Sequence, residues 1–181
     1  MSTTSATYNT AVTLRTNSFT RTGYTFQGWS TSKTATSKTY DDKDSVKNLT
    51  SEHNKTVTLY AVWKINTLKV TYEANGGVQG PETSHTLPYT ATYNYGVAYD
   101  MYNVVNGFDL SKTGYHINAS TAWNTKNDGS GVNYNPNVDI LAQDIASQAG
   151  KDLSTGSTTL TIYANWVPNT LSITYNANGG V

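Results

Sequence analysis

Apolar and polar positions alternate most clearly in two adjoining runs of the chain. In the first, Val57, Leu59, Ala61 and Trp63 fall on one side and Thr58, Tyr60 and Val62 on the other. In the second, Leu68, Val70, Tyr72 and Ala74 oppose Lys69, Thr71 and Glu73. A period of two predicts strands, each with one dry face. The same parity returns as Leu160, Ile162, Ala164 and Trp166, and again as Leu171, Ile173, Tyr175 and Ala177. Asn75-Gly76-Gly77 and Asn178-Gly179-Gly180 close the second strand of each pair and supply the positive φ of a tight turn.

A one-sided sheet needs a cover. Val138, Leu141, Ile145 and Ala149 recur at helical spacing, with Pro136 suited to a start and Gly150 to a stop, which predicts a helix over 137–150. A shorter helix from Asp44, with Val46 and Leu49 inward, is predicted to do the same for the earlier strands. The expected fold class is α+β, a small sheet with one helix per repeat.

The strand pair is an internal repeat. TVTLYAVWKINTLKVTYEANGGV, residues 56–78, recurs without a gap 103 positions later as TLTIYANWVPNTLSITYNANGGV, residues 159–181. Ala6-Thr7-Tyr8-Asn9 recurs 85 positions on as Ala91-Thr92-Tyr93-Asn94, and Thr22-Gly23-Tyr24 recurs 91 on as Thr113-Gly114-Tyr115. Trp29 and Tyr40 recur 94 on as Trp123 and Tyr134. An offset that grows along the chain is how loops lengthen on a fixed sheet. The 181 residues therefore hold two unequal copies of one fold rather than one large domain.

Composition narrows the function. Lys plus Arg number 12 and so do Asp plus Glu. There is no basic surplus to neutralise phosphates, and a nucleic-acid partner is not expected. The Thr, Tyr and Val content favours strands, and no apolar run is long enough to span a membrane. The absence of Cys removes disulfides, thiol catalysis and thiolate metal sites together. The Met1–Ser5 start lacks the basic and apolar regions of a signal peptide.

The landmarks TYEANGG (71–77), TGYTFQGW (22–29), TAWNTKNDGSGVNY (121–134), LYAVW (59–63) and IYANW (162–166) together carry a resemblance. The sequence resembles the Listeria–Bacteroides repeat family, the InlB-type B-repeats of bacterial surface proteins. That resemblance implies tandem β-grasp, ubiquitin-like repeats, each a small mixed sheet covered by one helix, on the bacterial cell surface or secreted. In the family's phase the NGG strand opens a repeat and lies beside the closing LYA.W strand. Residues 1–65 are then a first repeat lacking its initial NGG strand, and 66–168 a second, expanded repeat. Residues 169–181 are the initial strand of a following repeat. The second repeat departs from the pattern at Tyr115-His116-Ile117-Asn118-Ala119, which lacks the F.GW continuation, and over the expanded 79–111 segment.

Candidate chemistry is sparse. Asn124 to Gly131 superficially resembles a calcium loop, but Lys126 stands at the third ligand position and Asn135 where a bidentate Glu is needed, so a Gly-rich turn is the better reading. Asp41, Asp42 and Asp44 read as helix-capping acids with Lys43 among them. His53, His85 and His116 are isolated from any nucleophile or paired carboxylates, so no enzyme, metal or cofactor is expected. Trp29, Trp63, Trp123 and Trp166 read as packing. Lys69 becomes Ser172 in the next copy, so no repeated Lys marks an isopeptide bond.

Two function classes stand. One is a non-enzymatic spacer or stalk of an adhesin-like surface protein. The other is a binding module for a host protein or glycan, using the Tyr-rich stretch around Tyr89 and Tyr102 with Tyr93, Tyr95 and Tyr99 as the ligand face, core packing or a paired hairpin being the favoured reading of those tyrosines. Within the first class, the strand bearing Leu171, Ile173, Tyr175 and Ala177 is a candidate donor. The linker 167–170 reaches only about 14 Å, so the strand is expected to fill the gap of a neighbouring molecule, head to tail. If each folded unit instead ended with its NGG strand, both units would be complete and the chain a monomer.

Overall fold

The computed structural model describes residues 1–81, 83–102, 107–136 and 138–180. The first copy contributes β1 (Val12–Thr13), β2 (Tyr24–Ser30), β3 (Ser45–Val46) and β4 (Tyr60–Ile65). The second begins with β5 (Thr67–Glu73), β6 (Val78–Gln79), β7 (Tyr89–Asn94), β8 (Ala98–Tyr99), β9 (Leu110–Ser111) and β10 (Tyr115–Ile117). A single 3-10 turn, Ala119–Thr121, then precedes β11 (Trp123–Asn124), β12 (Asn133–Tyr134) and β13 (Ile140–Leu141). Helix α1 (Ala142–Gln148), β14 (Thr158–Ala164) and β15 (Trp166–Pro168) complete the order.

The protein is mostly β, 32% strand against 5% helix, spread over many small sheets. This overturns the expected tandem β-grasp fold with a helix in each repeat. The residues from Asp44 form β3, antiparallel to β1 with Val12 opposite Val46. A helix stops there because Asn48 takes φ 55°, held by reciprocal side-chain bonds with Asn9: the Asn9 N–H donates to Asn48 Oδ1 at 2.6 Å and Asn48 Nδ2 donates to Asn9 Oδ1 at 2.9 Å.

In the second copy the helix is real but short. Ile140 and Leu141 are spent on pairing with Tyr99 and Ala98, so helical backbone starts only at Ala142. Val138 and Leu141, expected inward, are exposed, and Ala142, Ile145 and Ala146 are the buried face. Asn137 lies outside the described residues. The helix ends with Gly150 at φ 71° and the Lys151 N–H donating to the Ala146 carbonyl, a Schellman closure.

The two copies share a strand register. In the first, β2 and β4 pair Tyr24 with Ile65, Phe26 with Trp63, Trp29 with Ala61 and Ser30 with Tyr60, with a bulge between Phe26 and Gly28. In the second, the equivalent ladder is split. β10 and β15 pair Tyr115 with Pro168 and Ile117 with Trp166, while β11 and β14 pair Trp123 with Ala164 and Asn124 with Tyr163. The residues inserted between them form the Ala119–Thr121 turn, capped by the Asn118 side chain. An insertion has enlarged a bulge into a turn without disturbing the pairs on either side. The isolated bridge Trp29–Tyr40 likewise returns as Trp123–Tyr134.

β5 has no such echo. It lies between β14 and β7 in the five-stranded sheet, parallel to β14 (Leu68 opposite Thr158, Tyr72 opposite Ile162) and antiparallel to β7 (Leu68 opposite Tyr93, Tyr72 opposite Tyr89). Its Leu68, Val70 and Tyr72 are fully buried against Phe108, Trp123, Ile145 and Ile162. β4 and β5, adjacent in sequence, belong to different sheets. The first copy's own core is thin: Trp29, Val46 and Val62, with Phe26 edge-on to Trp29 and Trp63 at 5.1 and 5.5 Å between ring centroids.

Candidate functional site

The residues that join the copies converge on Asn66, which is fully buried. Its backbone N–H donates to the Gly23 carbonyl at 2.8 Å and its carbonyl accepts from the Tyr95 N–H at 3.0 Å. Its side chain accepts from the Thr25 hydroxyl at 2.7 Å and donates through Nδ2 to the Leu153 carbonyl at 2.9 Å. The Gly23 N–H donates to the Ser154 carbonyl at 2.8 Å. Gly23 itself takes φ 77°, and a Cβ there would meet the Tyr95 ring at 2.2 Å. Both the left-handed backbone and the face-on ring demand glycine. One side of this joint is the Gly-Tyr turn of the first copy, and the other is the loop after α1 together with Tyr95.

At the far end of the chain half of this joint is repeated. The Asn169 N–H donates to the Gly114 carbonyl at 2.9 Å, as Asn66 does to Gly23. His116 Nδ1 meets Asn169 Oδ1 at 2.8 Å, where Thr25 meets Asn66. Gly114 has φ 79°, and nothing lies within 4 Å of where its Cβ would be. Beyond it residues 169–180 form no strand, and Leu171, Ile173 and Tyr175 are 81%, 68% and 90% exposed. Ala177 is exposed as well.

The tyrosines singled out from the sequence separate. Tyr93 is buried, and its hydroxyl lies 2.5 Å from that of Tyr72. Burial pushes the Tyr93 phenol up to about 12 and raises Tyr72 further, the neighbouring Tyr93 adding to it. Tyr99 stacks on Tyr93 at 4.5 Å and its hydroxyl accepts from the Asn94 N–H. Tyr95 belongs to the joint just described. Tyr89 and Tyr102 pack edge to face at 5.2 Å beside His85 and Phe108. Hydrogen bonding with Tyr89 raises the Tyr102 phenol.

The loop 124–133 is organised by an amide. Asn124, fully buried, donates to the Gly129 carbonyl and Asn133 Oδ1 and accepts from the N–H groups of Lys126 and Gly131. Asp128 accepts from the Ser130 N–H, which holds its carboxyl below the usual range. Among the described residues no three His, Asp or Glu side chains gather as a metal site requires, and no helix is long and apolar enough to cross a membrane.

Sequence reasoning missed the joint. Its signal was present, because Asn66-Thr67 and Asn169-Thr170 are equivalent positions of the repeat, but a lone Asn between two strands carries no pattern of its own.

Fold and joint define a tandem-repeat protein whose units are linked through a glycine turn and an asparagine. The family model of the Listeria-Bacteroides repeat domain matches residues 1–62, so the recognition made from the motifs holds over that stretch. Two proteins of Evansella cellulosilytica are similar in sequence. One, under the name of a Gly-rich membrane protein, is 34% identical over 160 residues, 88% of this chain and 16% of its own length. Another, under the name of a membrane protein, is 30% identical over 148 residues, 81% of this chain and 18% of its own length. The chain thus spans less than a fifth of the curated relatives it matches. No solved structure matches.

Proposed function

We propose that this chain is a non-enzymatic structural stretch of a bacterial cell-envelope protein, a spacer in which small β units interlock end to end. The observation that carries this reading is the Asn66 joint: every polar group of a buried residue is spent on holding the first copy to the second. Support comes from the Listeria-Bacteroides match over residues 1–62 and from relatives several times longer that carry membrane-protein names. On this reading the boundary between repeats falls at Ile65–Asn66. Residues 1–65, 66–168 and 169–181 are then successive repeat segments, the last being the start of a following one.

Buried hydrogen bonds and an aromatic lid resist shear between neighbours, which is what a stalk needs. The neutral charge balance keeps such an array from binding polyanions of the envelope. The test is a screen of the whole chain against glycan and host-protein arrays. The spacer reading expects no saturable binding. Saturable capture of one ligand, lost on Tyr99→Ala with the fold intact, replaces it with the binding-module reading.

A further inference from the structure

We infer that the second copy is a mechanical clamp, in which the parallel ladder between β5 and β14 bears in shear any tension that passes along the chain. The inference rests on the spacer reading, which supplies the reason for tension, and deepens it by naming the contact that carries the load.

The chain enters the second copy at Asn66, directly before β5, and leaves it through β14 and the three residues of β15. β5 and β14 are neighbours and run parallel over six consecutive pairs, from Leu68 with Thr158 to Glu73 with Tyr163. A pull from the preceding residues therefore acts on β5 at its Thr67 end. A pull from the following residues acts on β14 at its Ala164 end. These are opposite ends of one ladder. The two strands are drawn past each other along their length, and the evenly spaced bonds of a parallel pair are loaded together. Strands pulled apart from the same end would instead open one bond at a time.

Side chains fasten both ends of the ladder. At the entry, the Thr67 N–H donates to Ser157 Oγ at 2.9 Å, beside the bond from Asn66 Nδ2 to the Leu153 carbonyl. At the exit, Asn75 Nδ2 donates to the Ala164 carbonyl at 3.0 Å and Trp166 Nε1 donates to the Ala74 carbonyl at 2.9 Å. Each of these bonds ties the β5 side to the β14 side. β15 is paired with β10 through three positions, and peeling it leaves the β5–β14 pairs intact. Sliding is also opposed from beneath, where Leu68, Val70 and Tyr72 of β5 and Leu160, Ile162 and Ala164 of β14 are buried in one core. Side chains packed at interior density cannot pass one another without opening space. β7 covers the other edge of β5, which keeps water from competing for its bonds.

The test stretches single whole molecules of the variant Gly156→Cys, held in two ways at one loading rate. Position 156 lies between α1 and β14 and has open space where a Cβ would go, and the chain has no native Cys to compete for the attachment. Held by its two termini, the molecule is pulled in the shear direction. Residues 66–168 should then come apart in one step that releases about 360 Å of chain at about 3.5 Å per residue, longer than any step residues 1–65 can give. Forced unfolding reports the barrier to unfolding rather than the equilibrium stability. The force that opens the second copy should therefore fall several-fold when the molecule is held by its N-terminus and the introduced thiol, because β5 and β14 are then pulled apart from the same end. Thr71→Cys combined with Thr161→Cys, directly opposite each other across the ladder, should under oxidation cut the step between the termini to about 45 Å. Reductant should restore it. Equal forces in the two directions overturn the inference, as does a step that the disulfide leaves at full length. Neither result touches the spacer reading, which the ligand screen decides.

Discussion

Replacing Asn66 is the sharpest way to ask whether the two copies are held by the buried joint. Asn66→Ala deletes the side-chain donor to the Leu153 carbonyl and the acceptor of the Thr25 hydroxyl. Thr25 is exposed and can turn to water, so its loss is small. Leu153 is only 1% exposed, so its carbonyl is stranded, at a cost of about 1–3 kcal/mol. A small cavity adds to this, and a total of about 2–3 kcal/mol is expected. Asn66→Asp keeps the shape but sets an acceptor against that carbonyl and buries a charge, so at neutral pH it should cost more than the alanine. Burial raises the introduced carboxyl above its ordinary value near 3.9. The extra loss is therefore absent below about pH 4, grows as pH rises through the folded pKa, and is constant above it. Urea unfolding of the wild type and both variants from about pH 3.5 to about pH 8 measures this. The reasoning fails if Asn66→Ala lies within about 0.5 kcal/mol of wild type, or if Asn66→Asp tracks the alanine at every pH.

Gly23→Ala and Gly114→Ala form a matched pair: both glycines have nearly equal positive φ, but only Gly23 lies under a ring. Thermal melts should show Gly23→Ala the more damaging, and equal losses would remove Tyr95 from the joint. Gly131→Ala would place its Cβ 2.2 Å from Thr125 Oγ1 and 2.7 Å from Asn124 Oδ1, at a cost of about 1–3 kcal/mol by calorimetry. Because the protein itself satisfies Asn124, millimolar calcium or a chelator should leave the melting temperature unchanged. Tyr93 and Tyr134 are both pushed up to about 12 by burial. Their contribution is intact below about pH 10 and lost as pH climbs toward about 12, which phenolate absorbance recorded alongside unfolding should show as one joint transition.

The parity of the strands was legible where it was finally satisfied. Leu68, Val70 and Tyr72, and Leu160, Ile162 and Ala164, all point into the second core. In the first copy Leu59, Ala61 and Trp63 show the same alternation but are only half-buried, and Val62 on the opposite face is buried. The difference lies in what covers the strand, which the pattern of one strand does not contain. The helices were misread because partners distant in sequence claimed their residues. Apolar spacing near Asp44 fits a helix, but Asn48 pairs with Asn9, 39 residues away, and takes a left-handed backbone. At 137–150 the first apolar positions were drawn into the β8–β13 ladder. The role of Tyr95 depends on Gly23 lying beneath it, a contact across the copies that no spacing along the chain reveals.

Hydrogen exchange on the whole chain tests the interlocking of repeats most directly. The β5 amides from Leu68 to Tyr72 should be among the slowest to exchange at any concentration. The Asn66 and Tyr95 amides, which bridge the two copies, should exchange nearly as slowly, while those from Leu171 to Tyr175 exchange freely. If the Asn66 and Tyr95 amides exchange as fast as those of the tail, the joint does not hold the copies together.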